Sequence, residues 1–354
     1  MQSLVLTFVS ILVRAPRWLL LRLSGKPQQV VGDRKLLPAF QLLCTLVAKG
    51  SAPLETMTPA DARKMQGDMN LDPPPPGCRT VDHRIPVKGG EITVREYSPE
   101  NLEGASPALV YYHGGGWVLF DLENHGGLCT RLALTARCRV FSVDYRLAPE
   151  HPYPVPLADA EAAFDWVEAN AERLKVSPDR IAAGGDSAGG NLTAALCISR
   201  KAAARTIPFA QLLLYPVTDL SFYTKSVEEC SVGFILTRAS MEWFRGHYAP
   251  DPATWSDPTL SPLCAEDLSG HAPAVVITAG FDPLRDEGDA YARKLAAAGV
   301  PVLHQTYPEL IHGFANMSFV PAAGKAVEEI GQFLARQISD APGSNLEATA
   351  TVGS

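Results

Sequence analysis

The spacing of apolar residues changes character part-way along this chain. Up to about residue 70 they fall in runs and helical spacings without strand-like alternation, which predicts helices. Asp72-Pro73-Pro74-Pro75-Pro76-Gly77 then imposes an extended break, because each proline fixes φ and removes a donor. That break separates an N-terminal helical cap segment and linker, 1–77, from a main domain, 78–340. Arg79 to Val87 and Ile92 to Tyr97 alternate on either side of Gly89-Gly90, as in an antiparallel hairpin. Near-continuous apolar runs follow at Ala108 to Tyr112, Val140 to Tyr145, Ile181 to Ala183, Gln211 to Tyr215, Ala274 to Thr278 and Val302 to Tyr307. Such runs suit strands buried on both faces of a parallel sheet. Helical segments such as Leu157 to Ala171, Ala188 to Ala204 and Gly288 to Ala298 lie between them. Strand alternating with helix predicts an α/β domain with a mostly parallel, doubly wound sheet and right-handed crossovers.

From 217 to about 257 that rhythm is interrupted by a stretch carrying Phe222, Tyr223, Phe234, Trp243, Phe244, Tyr248 and Trp255. Ordinary helix packing is one reading. The position just past a strand's C-terminal end, where ligands bind in open α/β sheets, favours a cap insertion that forms a lid. Residues 341–354 are small and polar and read as a disordered tail.

Composition narrows the partners. An apolar fraction of 46% excludes wholesale disorder, and a net charge of -7 argues against nucleic acid, whose phosphates need a basic face. The seven cysteines are odd in number, scattered and without a C-x-x-C pair, which fits neither a disulfide framework nor a zinc site. Reduced thiols and a cytoplasmic setting follow. The apolar run Ser3 to Val13 has only Met1 and Gln2 before it, so it lacks a signal peptide's basic leader. Arg14, Arg17 and Arg22 interrupt it before the ~20 apolar residues of a membrane span are reached. An amphipathic helix over the mouth of a site, an interfacial helix touching lipid and an atypical export signal all remain open.

The segment that carries chemistry is Ile181-Ala182-Ala183-Gly184-Gly185-Asp186-Ser187-Ala188-Gly189, a G-x-S-x-G pattern between an apolar strand and a helix. A serine on so sharp a turn sits in strained backbone, and its neighbours two residues away must be tiny. Gly185 and Gly189 supply that room, and the helix after Ser187 aims N–H groups at developing negative charge. A serine hydroxyl also needs a base, and His312 follows the last strand, whereas His304 lies inside it and reads as structural. The third member is a carboxylate that orients the imidazole. With the chain order serine, acid, histidine, Asp282 fits just past a buried strand; Asp286, Glu287 and Asp289 compete nearby and Asp219 is the fallback. His113-Gly114-Gly115-Gly116-Trp117 follows the strand from Ala108 and predicts an oxyanion hole, with Gly114, Gly115 and Ala188 as donors and His113 bracing the loop. Trp117, Phe314, Phe40, Tyr223 and Phe234 are the candidates for an apolar pocket wall. Acyl transfer by such a set needs no metal or organic cofactor.

Five segments in order, His113 to Trp117, Tyr145-Arg146-Leu147-Ala148-Pro149-Glu150-His151-Pro152, Gly185 to Asn191, Asp282-Pro283-Leu284-Arg285-Asp286-Glu287-Gly288 and His312-Gly313-Phe314, resemble the bacterial hormone-sensitive-lipase-like carboxylesterases, in their GDSAG-bearing branch. The resemblance spans roughly residues 80 to 335. It implies an α/β-hydrolase fold, a helical cap formed partly by the N-terminus, and esters of short to medium acyl chains as substrates. It also favours Asp282, because the triad acid of the family is the first Asp of its D-P-L-x-D-E pattern. An amidase or deacetylase with the same triad is the alternative enzyme. A ligand-binding receptor of the same fold is the alternative outside catalysis, and the intact His312 tells against it. A small-molecule ester is the expected partner, with weak membrane-surface contact through the N-terminal helix and a homodimer left open.

Overall fold

The computed structural model describes residues 9–50, 52–67 and 72–339. The tail 341–354 and the first part of the Ser3 to Val13 run lie outside them. The main domain is built on one eight-stranded sheet. Its strands are β3 (Cys78–Val87), β4 (Gly90–Pro99), β5 (Ser106–Tyr112), β6 (Arg139–Asp144), β7 (Val176–Asp186), β8 (Gln211–Leu214), β9 (Ala274–Phe281) and β10 (Val302–Ile311), in spatial order β10-β9-β8-β7-β5-β6-β4-β3. β3 and β4 form the expected hairpin and join antiparallel to β6; every pairing from β6 to β10 is parallel. Successive residues of β5 show why a continuous apolar run is needed. Val110 and Tyr112 face a core shared with Phe164 and Leu192, while Leu109 and Tyr111 face another shared with Leu132 and Ile330. The inner strands β5, β6, β8 and β9 therefore bury both faces beneath helices, whereas the edge strands β3 and β10 stay largely exposed or half-buried. Those helices include α4 (Leu122–Ala136), α5 (Val155–Ala169), α6 (Ala188–Ala202), α9 (Arg285–Ala297) and α10 (Pro321–Ser339).

Register decides where chemistry collects. Tyr112 pairs with Gly185, Asp186 with Leu214, and Phe281 with Ile311. The residues that follow, His113 to Gly116, Ser187, Asp282 and His312, consequently emerge side by side at one edge of the sheet.

The N-terminal segment is not wholly helical, as its spacing suggests. Between α1 (Arg17–Ser24) and α2 (Pro38–Gly50) a small hairpin pairs β1 (Val30–Val31) with β2 (Arg34–Lys35). Its turn starts at Gly32, with φ 61°, and two-residue strands are too short to show a period. Gln41 ties this segment together: it is buried, donates to Ser24 Oγ at 2.9 Å and to the Pro27 carbonyl at 3.0 Å, and accepts from the Gln29 N–H. A further helix, α3 (Pro59–Gly67), sends Arg63 onto the carbonyls of Val118 and Ala148. The interrupted stretch after β8 holds α7 (Lys225–Glu229) and α8 (Arg238–Tyr248), which reaches both the N-terminal segment and the sheet edge. Trp243 Nε1 donates to the Met57 carbonyl at 3.2 Å, and Tyr248 stacks on Trp117 at 4.2 Å. Among the described residues, no helix is long and apolar enough to cross a membrane.

Candidate active site

Ser187 sits between β7 and α6 with φ 55°, a left-handed conformation that a serine holds only when its surroundings enforce it. Its own N–H donates to the Leu214 carbonyl at 2.8 Å, which fixes the turn against β8. A Cβ added at Gly185 would strike Gly189 and the Tyr112 carbonyl, and one at Gly189 would strike the Tyr112 carbonyl as well. The turn is thus so tight that only glycine fits on either side of the serine.

His312 Nε2 lies 3.0 Å from Ser187 Oγ, and His312 Nδ1 lies 2.8 Å from Asp282 Oδ2. Asp282 is fully buried, and its second oxygen accepts the Leu284 N–H at 2.8 Å. The competing carboxylates are engaged elsewhere. Asp286 accepts from Ser226 N and Arg285, Asp289 from Thr278 with His304 alongside, and Asp219 from Ser221 N. Glu287 is fully buried beneath this site and accepts the N–H groups of Thr218 at 2.7 Å and Asp219 at 3.2 Å. Burial, aided by the negative charges of Asp219 and Asp282, raises its carboxyl well above the usual range despite those two donors.

The glycine loop requires a correction. The Gly114 N–H donates to Asp186 Oδ1 at 2.9 Å, with His125 Nε2 at 3.3 Å, so it is already committed and is not a free oxyanion donor. Among the described residues, the N–H groups of Gly115, Gly116 and Ala188 have no acceptor. Gly115 and Gly116 lie at φ 107° and 60°, and Phe244 of α8 leaves no space for a side chain at Gly116. His113 supports the loop from below. It stacks on Tyr145 at 4.3 Å, its Nδ1 lies 2.7 Å from the Gly114 carbonyl, and Tyr145 donates to its own carbonyl. Burial, and then the neighbouring His125, push its pKa down to about 4.

Asp186 is the residue whose importance the sequence reading missed. Its carboxylate is fully buried and accepts from Tyr111 Oη at 2.8 Å and from Gly114 N, with His125 Nε2 and Asn316 Nδ2 also in reach. Burial opposes its charge, but His125, the Tyr111 hydroxyl and His113 together hold the carboxyl below its ordinary range. One anion thereby joins the nucleophile turn, the glycine loop, α4 and the turn after His312. The only signal in the sequence was an acidic residue where an apolar strand ends.

The five pocket-wall candidates are not brought together. Phe40 and Phe314 are completely buried, Phe314 edge-on to Tyr215 and Tyr307, and Trp117 is pressed against Tyr248. These three have no surface to offer a substrate: an aromatic residue near a motif can line a pocket or fill a core, and packing puts these in the core. Tyr223 is 84% exposed, and Phe234 leans on Phe281, next to Asp282. All seven cysteines are free thiols, five of them buried. Among the described residues, no three His, Cys, Asp or Glu side chains are grouped to hold a metal ion.

A family model described as the alpha/beta hydrolase fold matches residues 109–316. The carboxylic ester hydrolase LipN of Mycobacterium tuberculosis is 48% identical over 243 residues, covering 67% of this chain and 64% of that protein's length. An ethyl acetate hydrolase of Pseudomonas putida is 40% identical over 250 residues, or 70% of this chain and 76% of its own. Among solved structures, the ester-hydrolase EH1AB1 from the metagenome of Lake Arreo superposes with a TM-score of 0.83 at 39% identity, covering 86% of this chain and 100% of that one.

Proposed function

The chain belongs to the hormone-sensitive-lipase-like carboxylesterases of the α/β-hydrolase fold, and from that premise we propose that it cleaves short- to medium-chain acyl esters through a Ser187–His312–Asp282 triad. The supporting observation is the unbroken chain of contacts from Ser187 Oγ through His312 to Asp282, at 3.0 and 2.8 Å. His312 takes the hydroxyl proton as Ser187 attacks the ester carbonyl. Asp282 holds the ring with Nδ1 protonated and offsets its positive charge. The tetrahedral oxyanion is met by the uncommitted N–H groups of Gly115, Gly116 and Ala188, of which each is worth roughly 3 kcal/mol in such sites. His312 then gives its proton to the departing alcohol. Water, deprotonated by the same imidazole, releases the acid from Ser187.

The N-terminal segment 1–77 and the insertion at about 217–257 act together as the cap of the 78–340 catalytic domain. The Trp243–Met57 contact and the placement of Phe244 and Tyr248 on the glycine loop support that division. The partners beyond the ester are a membrane surface, met through the N-terminal helices, and a second copy of the chain. Seven free thiols support a cytoplasmic setting.

Ser187→Ala tests the reading. Hydrolysis of a nitrophenyl ester should fall by about 10⁶-fold with unchanged thermal unfolding. Retained turnover would sink it. A series of nitrophenyl esters of increasing acyl length, with one anilide included, defines the acyl limit and separates esterase from amidase.

A further inference from the structure

Charge is segregated along this chain. Residues 1–50 contain seven Lys and Arg against one Asp, a net +6, while the remaining residues hold -13 of the total of -7. The same region is unusual in what it exposes. Of the ten large apolar side chains exposed among the described residues, six lie between Ile11 and Val47 and three between Tyr223 and Ile235.

The two properties share one helix face. In α1, Leu20 and Ser24 point into the protein, whereas Trp18 is 64% exposed and Arg22, one turn later, is exposed beside it. Among the described residues, Arg14, Arg22, Lys26 and Lys35 have no acidic partner within ion-pair distance. Next to α1 an open hollow of about 840 Å³ is lined by Arg14, Arg17, Arg34 and Lys35, by the apolar Val13 and Leu20, and by only two acidic residues, Asp33 and Glu309. The exposed patch continues onto the insertion: Gln29 lies 4.0 Å from the Cβ direction of Gly233, and the Cys44 thiol contacts the Ile235 backbone. Phe234, between them, packs on Phe281, which precedes Asp282.

We propose that this face docks the protein onto an anionic lipid bilayer. Trp18, Ile11 and Leu23 would enter the headgroup boundary, and the unpaired cations would lie along its phosphates. A tryptophan ring suits that boundary, long basic side chains reach back from it to water, and a basic cluster draws a chain of opposite overall charge to an acidic surface. An acidic protein or polymer would use the cations but has no need of an exposed tryptophan and isoleucine beside them. Docking would place the insertion, and with it the acid side of the triad, against the phase where apolar esters dissolve. This deepens the membrane-partner reading given above and is independent of the triad assignment.

Sedimentation of the full chain with phosphatidylcholine vesicles, with and without phosphatidylglycerol, tests it. Binding should require phosphatidylglycerol and weaken with added salt. An Arg14→Gln/Arg22→Gln/Lys26→Gln variant should bind on the order of 100-fold more weakly, and Trp18→Ser about tenfold. Both should keep wild-type unfolding temperatures and wild-type turnover of a water-soluble nitrophenyl ester, since these side chains are exposed. Failure of the wild type to sediment, or equal sedimentation of all three proteins, would overturn the proposal. So would binding to polyglutamate as tight as to vesicles and indifferent to Trp18→Ser, which would assign the face to an acidic macromolecule. Loss of ester turnover in Ser187→Ala leaves all of these outcomes unaffected.

Discussion

The floor of the active site and its cover obey opposite rules. Beneath Ser187, carboxylates are buried and hydrogen-bonded: Asp186 with four donors in reach, Asp282 with His312 and a backbone N–H, and Glu287, whose Oε1 accepts two backbone N–H groups while its Oε2 has no partner among the described residues. Glycines there have no room for a methyl group. On the cover, between Ile11 and Val47, large apolar side chains stand in water, and among the described residues Arg14, Arg22, Lys26 and Lys35 have no acidic partner, although Arg34 pairs with Glu229. The first region is shaped by its own contacts, which is what holding atoms for a reaction requires. The second is left incomplete by its own contacts, as a surface is that meets something else.

That contrast can be broken at several points. The largest effect below the nucleophile itself should come from Asp282→Asn, about 10⁴-fold in kcat, because the imidazole would lose the partner that fixes its tautomer. Asp286→Asn should cost far less, since Asp286 holds Ser226 and Arg285, and the reverse ranking in steady-state kinetics would move the acid. Next comes the positioning role of His125. His125→Ala should lower kcat by on the order of 100-fold with KM little changed, and His125→Gln, whose amide still reaches Asp186, should recover most of it. A fall in unfolding temperature with kcat intact would make His125 merely structural.

A smaller effect is linked to pH. His113 has a folded pKa near 4, below the ordinary 6.5, so between those values the unfolded chain binds a proton that the folded one refuses. Stability should therefore be complete above pH 6.5 and fall by about 3 kcal/mol as pH drops toward 4. Buried His271, also pushed down to about 4, adds in the same direction. Thermal unfolding of His113→Gln across this range should show a shallower decline, and an equal decline would remove His113 as a cause. The smallest effect belongs to the cover: Tyr223→Ser should change turnover of a soluble ester by less than about twofold, as exposed surface substitutions usually do.

Much of this was legible in the chain. Strands buried on both faces must be apolar throughout, so the sheet showed itself, and the spacing of Gly185, Ser187 and Gly189 announced a turn whose sterics the structure bears out. Three things were not legible. The strands at Val30 and Arg34 are too short to have a period. Whether the Gly114 N–H is free depends on a carboxylate 72 residues away. Phe40, Trp117 and Phe314 look the same in sequence whether they line a pocket or fill a core, because hydrophobicity is the same in both and only packing separates them.

The Asp186 carboxylate has a consequence for the site in time as well as in space. The Gly114 amide, the Tyr111 hydroxyl and the Asn316 side chain share a single buried anion, so none can leave without abandoning it to a medium that solvates charge poorly. The glycine loop and the turn after His312 should then open together or not at all. Amide hydrogen exchange would register this as one protection factor for Gly114 and its neighbours, set by a single cooperative opening rather than by the fraying of a surface loop.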